Sequence, residues 1–242
     1  MAVMTFRRYE KKFYITRQQY GRLLPVVLEH MEPDKYCIDG KSYNVVNLYF
    51  DDDNDTVILN SILKPKYKEK LRLRCYGAPS SDESVVYFEI KSKLYGTVVK
   101  RRVEMKYGDA LEYINSGKRP QTDIYINRQV LDEIDELRGR MPCKPRLIIS
   151  YDRHAYFMKS DPAVRLTFDE NIMMCRDDLD LSHYKGGAYL IPPDDLILEI
   201  KIPYAVPLWL SQALSEEGIF MTSFSKYGKE YKKRHSNKQE SR

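Results

Sequence analysis

The sequence predicts an α+β fold, a large antiparallel sheet with helices packed on its outside, from three observations. Between Tyr67 and Lys106 three consecutive runs, YKEKLRLRCYG, VVYFEIKSKLYG and TVVKRRVEMK, alternate with period two and are punctuated by Gly and Ser. This is the pattern of strands whose two faces differ chemically. Similar alternation recurs elsewhere in the chain and brings the count to about seven strands. Between them lie stretches with apolar residues at helical spacing and polar residues opposite.

In the first run Leu71, Leu73 and Cys75 share one face while Lys70, Arg72 and Arg74 share the other. In the second, Val86, Phe88 and Ile90 oppose Glu89, Lys91 and Lys93; in the third, Val99, Arg101, Val103 and Met105 oppose Lys100, Arg102 and Glu104. The same parity sets Arg8, Glu10 and Lys12 against Tyr9, Lys11 and Phe13, and Arg165, Thr167 and Asp169 against Val164, Leu166 and Phe168. It also sets Glu199 and Lys201 against Leu198, Ile200 and Ile202, and places Tyr151 and Arg153 after the apolar run LII. Like charges directly opposite one another on neighbouring strands are destabilising, so a sheet that gathers this many Lys and Arg on one face needs a reason, and a bound polyanion supplies it. If such a sheet closes with the charged face inward, its lumen is wet, because burying each unpaired ion costs several kcal/mol, and the interior becomes a tunnel for phosphates.

In chain order, residues 6–15 read as a strand, and Thr16 then caps a helix with an apolar stripe of Tyr20, Leu23, Leu24, Val27, Leu28 and Met31, kinked at Pro25. Residues 43–50 form a second strand, and the acidic turn DDDND leads into a short helix over 56–63. After the three central strands come helices over 108–117 and 128–140, the second with Val130, Leu131, Ile134 and Leu137 on one face. Strands over 145–158 and 163–174 are joined by the turn KSDP, and LILEIKI at 196–202 is the last strand. A helix after Pro207 ends at Gly218, FSKYGKEYKKR opens a final helix, and residues 232–242 read as a frayed tail. Neither an internal repeat nor a long linker divides the chain, so residues 1–242 are expected to form one domain with its core at about 6–231.

The 242 residues are 43% hydrophobic and 31% charged, with a net charge of only +5. Any anion site must therefore come from local segregation of charge. Four widely spaced cysteines, Cys37, Cys75, Cys143 and Cys175, make no CxxC pair and read as reduced, partly buried thiols. The absence of a signal segment and of any apolar run near a membrane span's length points to a cytoplasmic protein. His30, His154, His183 and His235 form no HExxH, His154 has the outward parity, and neither GxSxG nor a glycine-rich phosphate loop is present. Phosphates would have to be held by side chains. Oxygen ligands for a hard divalent metal are available on the inward parity as Glu10, Glu89, Glu104, Asp169 and Glu199. Most sit beside a Lys or Arg that explains them, but Glu199, an acid in the otherwise apolar LILEIKI, has little local reason to be there and is the leading metal-ligand candidate, with Glu10 second.

RYEKKFY, KLRLR, FEIKSK, VKRR, SYDRHAY, VRLTFD, LEIK and FSKYGKEY, in this order over about residues 6–231, resemble the polyphosphate polymerase (VTC) domain of the triphosphate tunnel metalloenzyme superfamily. The resemblance implies a closed antiparallel barrel whose tunnel binds the triphosphate of ATP, pyrophosphate or triphosphate, a growing polyphosphate chain, and a divalent cation, often Mn2+, or else Mg2+. By resemblance Lys12, Arg72, Arg74, Lys91, Lys100, Arg153, Arg165 and Lys226 bind phosphates, Tyr151 and Ser225 add hydrogen bonds, and Glu199 holds the metal. Parity adds Arg8, Arg102 and Lys201 to the phosphate-facing set. Lys12, Arg72, Arg74, Lys91, Arg153 and Arg165 are the expected carriers of catalysis.

The first strand departs from the ExExK of the hydrolytic branch of that superfamily: it reads Arg8, Glu10, Lys12. A guanidinium in place of the first carboxylate removes a metal ligand and adds a phosphate clamp, which disfavours activation of water. The expected reaction is therefore transfer of the γ-phosphate of ATP to polyphosphate. A metal-dependent triphosphatase and a non-catalytic polyphosphate-binding module are the alternatives. Nucleic acid is not expected as a partner, since no RNA-binding aromatic motif is visible, and no obligate protein partner is evident.

Overall fold

The computed structural model describes residues 9–63, 65–95 and 97–240. It contains, in chain order, β1 (Tyr9–Thr16), α1 (Arg17–His30), β2 (Met31–Pro33), β3 (Tyr43–Asp51), α2 (Thr56–Ile62), β4 (Tyr67–Tyr76), β5 (Val85–Leu94), β6 (Thr97–Lys106), α3 (Tyr107–Ser116), α4 (Tyr125–Arg140), β7 (Lys144–Met158), β8 (Asp161–Cys175), β9 (Ala188–Tyr189), β10 (Asp195–Ile202), α5 (Leu208–Glu216), β11 (Met221–Thr222) and α6 (Lys226–Glu240). The α+β class, the strand alternation and the helices follow the sequence pattern. The short β2, β9 and β11 do not, because two or three residues carry no readable period.

The hydrogen-bonded order is β11-β1-β10-β8-β7-β3-β4-β5-β6, with β2 on β7 and β9 on β8. The expected closed barrel is not what this order describes: β11 and β6 are its two ends. With only two residues, β11 is too short to serve as pairing partner for the ten-residue β6. α6 extends the final helix expected from FSKYGKEYKKR as far as Glu240.

The chain divides into two compact units. The first comprises residues up to Asn44 with Tyr151–Met173 and Tyr189–Lys229; the second comprises Val45–Ser150, Met174–Ala188 and the residues from Glu230 onward. In the first unit the apolar faces of β1, β8 and β10 contribute Phe13, Ile15, Leu166, Phe168, Leu196, Leu198 and Ile200 to a core covered by Leu23 and Val27 of α1 and Leu210 and Leu214 of α5. The capping box expected at Thr16 is present: its hydroxyl accepts from Gln19 N, and the Gln19 side chain accepts from Thr16 N. Pro25 lies inside α1.

In the second unit Val46, Leu48, Leu71, Leu73, Val86, Phe88, Ile90 and Val103 of β3 to β6 meet Tyr113 of α3 and Val130, Leu131, Ile134 and Leu137 of α4. Phe88 contacts the Phe50 and Tyr113 rings edge-on, with centroids 5.2 and 5.7 Å away. α3 and α4 thus occupy the apolar face of this sheet, while Lys68 of β4 donates to the Ser61 carbonyl of α2 at 2.9 Å.

The acidic turn before α2 has a specific task. Asp51, fully buried, accepts from Asp52 N and Val57 N through Oδ1 and from Ile58 N through Oδ2, while Asp52 Oδ1 accepts from Asn54 N and Thr56 N. Together they satisfy the amide groups that a helix start leaves unpaired. Replacing Asp51 by Ala strands two buried N–H groups, so Asp51→Ala is expected to lower stability by roughly 2–4 kcal/mol in chemical denaturation, with Asp51→Asn recovering part of the loss.

Candidate phosphate-binding residues

In the second unit the registers of β4, β5 and β6 assemble the charged face row by row. Lys70 lies opposite Lys91 and Lys91 opposite Lys100, and in the next row Arg72 lies opposite Glu89 and Glu89 opposite Arg102. Lys68 pairs with Lys93 on one side of these rows, and Arg74 pairs with Tyr87, itself opposite Glu104, on the other. Eight cations thus share these rows with two carboxylates. The lysine row is the arrangement that cross-strand energetics disfavours in the absence of an anion.

Glu89 holds the centre. It is 1% exposed and meets Arg72 NH2 at 2.7 Å, Lys100 Nζ at 2.6 Å and Arg74 Nε at 4.0 Å. Arg72 Nε also donates to Glu89, and its NH1 to the Tyr49 hydroxyl at 3.4 Å. Burial alone would push the Glu89 carboxyl up, but the charges of Arg72, Arg74 and Lys100 override it and hold the group at about 2. Lys100 is pushed the other way. Its partial burial, helped by the charges of Arg72 and Arg74 and opposed by that of Glu89, brings its ammonium down to about 8.

In the first unit a second cluster is built on β1, β10 and β8. Here register pairs opposite charges: Glu10 lies across from Lys201, and Lys12 from Glu199. Lys12 Nζ lies 3.1 Å from Glu10, 3.4 Å from Glu199 and 3.3 Å from the Phe224 carbonyl that accepts its proton. Lys201 reaches the other oxygen of Glu199 at 2.7 Å. Asp169, fully buried, accepts two parallel hydrogen bonds from Arg153, at 2.7 and 2.9 Å, and one from Lys226 at 2.5 Å. The Tyr151 ring lies beneath both cations, 4.2 Å from Lys226 Nζ and 5.0 Å from the Arg153 guanidinium carbon. Against the upward push of burial, Arg153 and Lys226 hold Asp169 at about 2, and Lys201, Lys12 and Arg153 hold Glu199 well below the usual carboxylate range. Lys12 is held up by Glu199 and Glu10 against its own desolvation.

Most of the residues singled out from the sequence therefore fall into one of two clusters. Arg72, Arg74, Lys91, Lys100 and Arg102 belong to the second unit; Glu10, Lys12, Tyr151, Arg153, Glu199, Lys201 and Lys226 belong to the first. Arg102 stacks its guanidinium over Tyr87 at 4.6 Å. Arg165 sits opposite Lys201 in register but is exposed. The Ser225 hydroxyl accepts from Gly228 N and so caps the first turn of α6. Arg8 lies outside the described residues. Parity had not singled out the clamp role of Asp169, nor Asn47, a fully buried amide that accepts from Arg74. A polar residue inside the apolar run VVNLYF was the available signal for the latter.

The low pKa of Glu89 has a consequence for acid stability. A carboxyl depressed from 4.5 to about 2 by folding contributes stability that is complete above pH ~4.5 and is lost as the pH falls through ~2. Replacing Glu89 by Gln is expected to cost on the order of 2–3 kcal/mol at pH 7. The difference from wild type should shrink between pH ~4.5 and ~2, as read from urea midpoints across that range; a difference independent of pH would contradict the ion-cluster account.

Known proteins resemble this chain at two levels. The chain is 21% identical over 196 residues, 72% of its own length, to the Vacuolar transporter chaperone complex subunit 4 of Schizosaccharomyces pombe, and that alignment spans only 27% of the yeast protein. Its fold is similar to that of a Bacillus halodurans protein provisionally designated an adenylate cyclase, with a TM-score of 0.54 and 15% identity over 90% of this chain and 95% of that one. Among the described residues no helix is long and apolar enough to cross a membrane. The model of the VTC domain matches residues 7–235, nearly the whole chain, and this protein belongs to the VTC domain family.

Proposed function

We propose that the protein is a polyphosphate polymerase, transferring the γ-phosphate of ATP to the terminal oxygen of an inorganic polyphosphate chain and releasing ADP. The observation that carries this reading is the charged face of β4, β5 and β6, where the Lys70–Lys91–Lys100 row and the Arg72, Arg74 and Arg102 side chains outnumber Glu89 and Glu104. A polyanion is the ligand that turns this repulsion into binding energy. Membership of the VTC family, together with the motif resemblance of the strands, supports polyphosphate as that polyanion.

Phosphoryl transfer asks a protein mainly for positioning and charge stabilisation, and no nucleophilic side chain is needed. The acceptor's terminal oxygen, already deprotonated, forms the new bond to the γ-phosphorus as the bond to the bridging β,γ oxygen breaks, and ADP leaves with that oxygen. Arg72, Arg74 and Lys100 supply fixed positive charge to phosphate oxygens. In the other cluster Arg153 and Lys226 are held in place by Asp169, and Lys12 by Glu10 and Glu199.

The donor set fits a hard divalent cation of the Mn2+ or Mg2+ type. Such ions use one or two carboxylates with phosphate oxygens and water completing the shell, and Glu10 and Glu199 are carboxylates of this kind, each paired with Lys12 Nζ, at 3.1 and 3.4 Å. Among the described residues no group of three His, Cys, Asp or Glu could hold a metal by itself, so substrate oxygens are required. Glu199 and Glu10 are the residues that would hold the ion, whose chemistry there is to offset charge on the transferring phosphoryl group.

The purified protein incubated with ATP and Mn2+ is expected to yield polymer longer than any primer, read on a polyphosphate gel. Orthophosphate as the sole product would replace this reading by a triphosphatase. Arg72→Ala and Arg74→Ala should each weaken tripolyphosphate binding by roughly ten- to a hundredfold, the value of a charge-assisted hydrogen bond. Glu199→Gln should abolish metal-dependent turnover yet bind tripolyphosphate within a few fold of wild type, because the ground-state anion is held by the Lys and Arg side chains; undiminished turnover in that variant would remove Glu199 from the site.

A further inference from the structure

Arg72 and Arg74 are adjacent on one face of β4 and are held by chemically different partners. Arg72 is bound to a carboxylate, with Nε and NH2 each 2.7 Å from Glu89. Arg74 places its Nε on an amide, donating to Asn47 Oδ1 at 2.8 Å, and stands 4.0 Å from Glu89. Asn47 is fully buried on β3, and its Nδ2 donates to the Ile149 carbonyl of β7 at 3.0 Å. These two bonds fix which way the amide faces. Rotated by half a turn, it would aim its NH2 at the Arg74 Nε–H and its oxygen at the Ile149 carbonyl, donor against donor and acceptor against acceptor.

An amide oxygen and a carboxylate can both hold a guanidinium in one orientation, but only the amide does so without cancelling its charge. An aspartate at this position would accept the same bond, neutralise Arg74 and set its second oxygen against the Ile149 carbonyl. We infer that Asn47 is a positioning residue for phosphate binding: its buried amide orients the Arg74 guanidinium for an anion of the phosphate class through a neutral hydrogen bond, one that adds no second negative charge to that of Glu89, already 4.0 Å away. This inference rests on the reading of Arg74 as a phosphate ligand. A buried amide that only completes the packing of β3 against its neighbours would stabilise the fold and have no particular link to Arg74.

A thermodynamic cycle with tripolyphosphate as probe separates these roles. Affinities are measured calorimetrically for the wild type, Asn47→Ala, Arg74→Ala and the double variant. Asn47→Ala is expected to weaken binding about tenfold or more in the wild-type background and less than about twofold where Arg74 is already Ala. Equal losses in both backgrounds would make Asn47 structural and overturn the inference while leaving Arg74 a phosphate ligand. A wild type that does not bind tripolyphosphate would overturn the phosphate reading and this inference together. If Asn47→Ala fails to fold, Asn47→Ser takes its place in the same cycle. The further variant Asn47→Asp keeps the bond to Arg74 but adds a charge, so it should bind no better than Asn47→Ala; a purely structural role predicts that it binds better.

Discussion

Three buried carboxylates, Glu89, Asp169 and Glu199, each meet two or more cations, and the charged faces of both units depend on them. A Lys or Arg brought onto a sheet face beside others loses hydration and gains repulsion, and neither cost is recovered from packing. A carboxylate buried at the centre of each group offsets both. It also fixes the positions of long side chains that would otherwise keep most of their rotamer freedom. The result is preorganisation: the cations are held in place, and their ordering cost has already been met by folding.

This arrangement is a poor way to stabilise a protein. Buried ion groups often contribute less than apolar residues of the same volume would, because desolvation consumes much of the attraction. The apolar cores carry that burden, with Phe88, Tyr113, Leu131 and Ile134 in one unit and Phe168, Leu198, Ile200 and Leu210 in the other all essentially inaccessible to solvent. The charged faces draw on the stability that those cores supply. The two clusters differ in sign balance. Between β1 and β10 register sets Lys12 opposite Glu199 and Lys201 opposite Glu10, whereas on β4, β5 and β6 one row consists of lysines alone.

Much of this was legible in the sequence because strand parity is a strict code. With period two, KLRLR and FEIKSK assign each residue to a face without knowledge of the partner strand, and the α+β class and the placing of most candidate residues on a charged face follow, though not their division into two clusters. Parity does not give register, so it could not tell that Lys12 would face Glu199 while Lys91 would face Lys70 and Lys100. Nor does it give closure. A two-residue strand such as β11 leaves no periodic trace, and whether a sheet ends or returns on itself is decided by such short pieces. Ser225 shows a third limit: a motif match marks a position, but the hydroxyl's hydrogen bond to Gly228 N is a matter of local helix geometry. Asn47 was passed over because a single polar residue in an apolar run has many explanations until its two partners are seen.

The terminal position of β6 in the strand order has a consequence for how molecules of this protein meet in solution. A ten-residue strand at a sheet edge offers unpaired backbone groups to any passing strand, and a second copy of the same chain is the most abundant candidate. β6 carries Lys100, Arg101, Arg102, Glu104 and Lys106, so two such edges would have to strip water from a dense run of charged side chains before their backbones could join. Charge along this strand therefore also acts as a safeguard against edge-to-edge association of one copy with another.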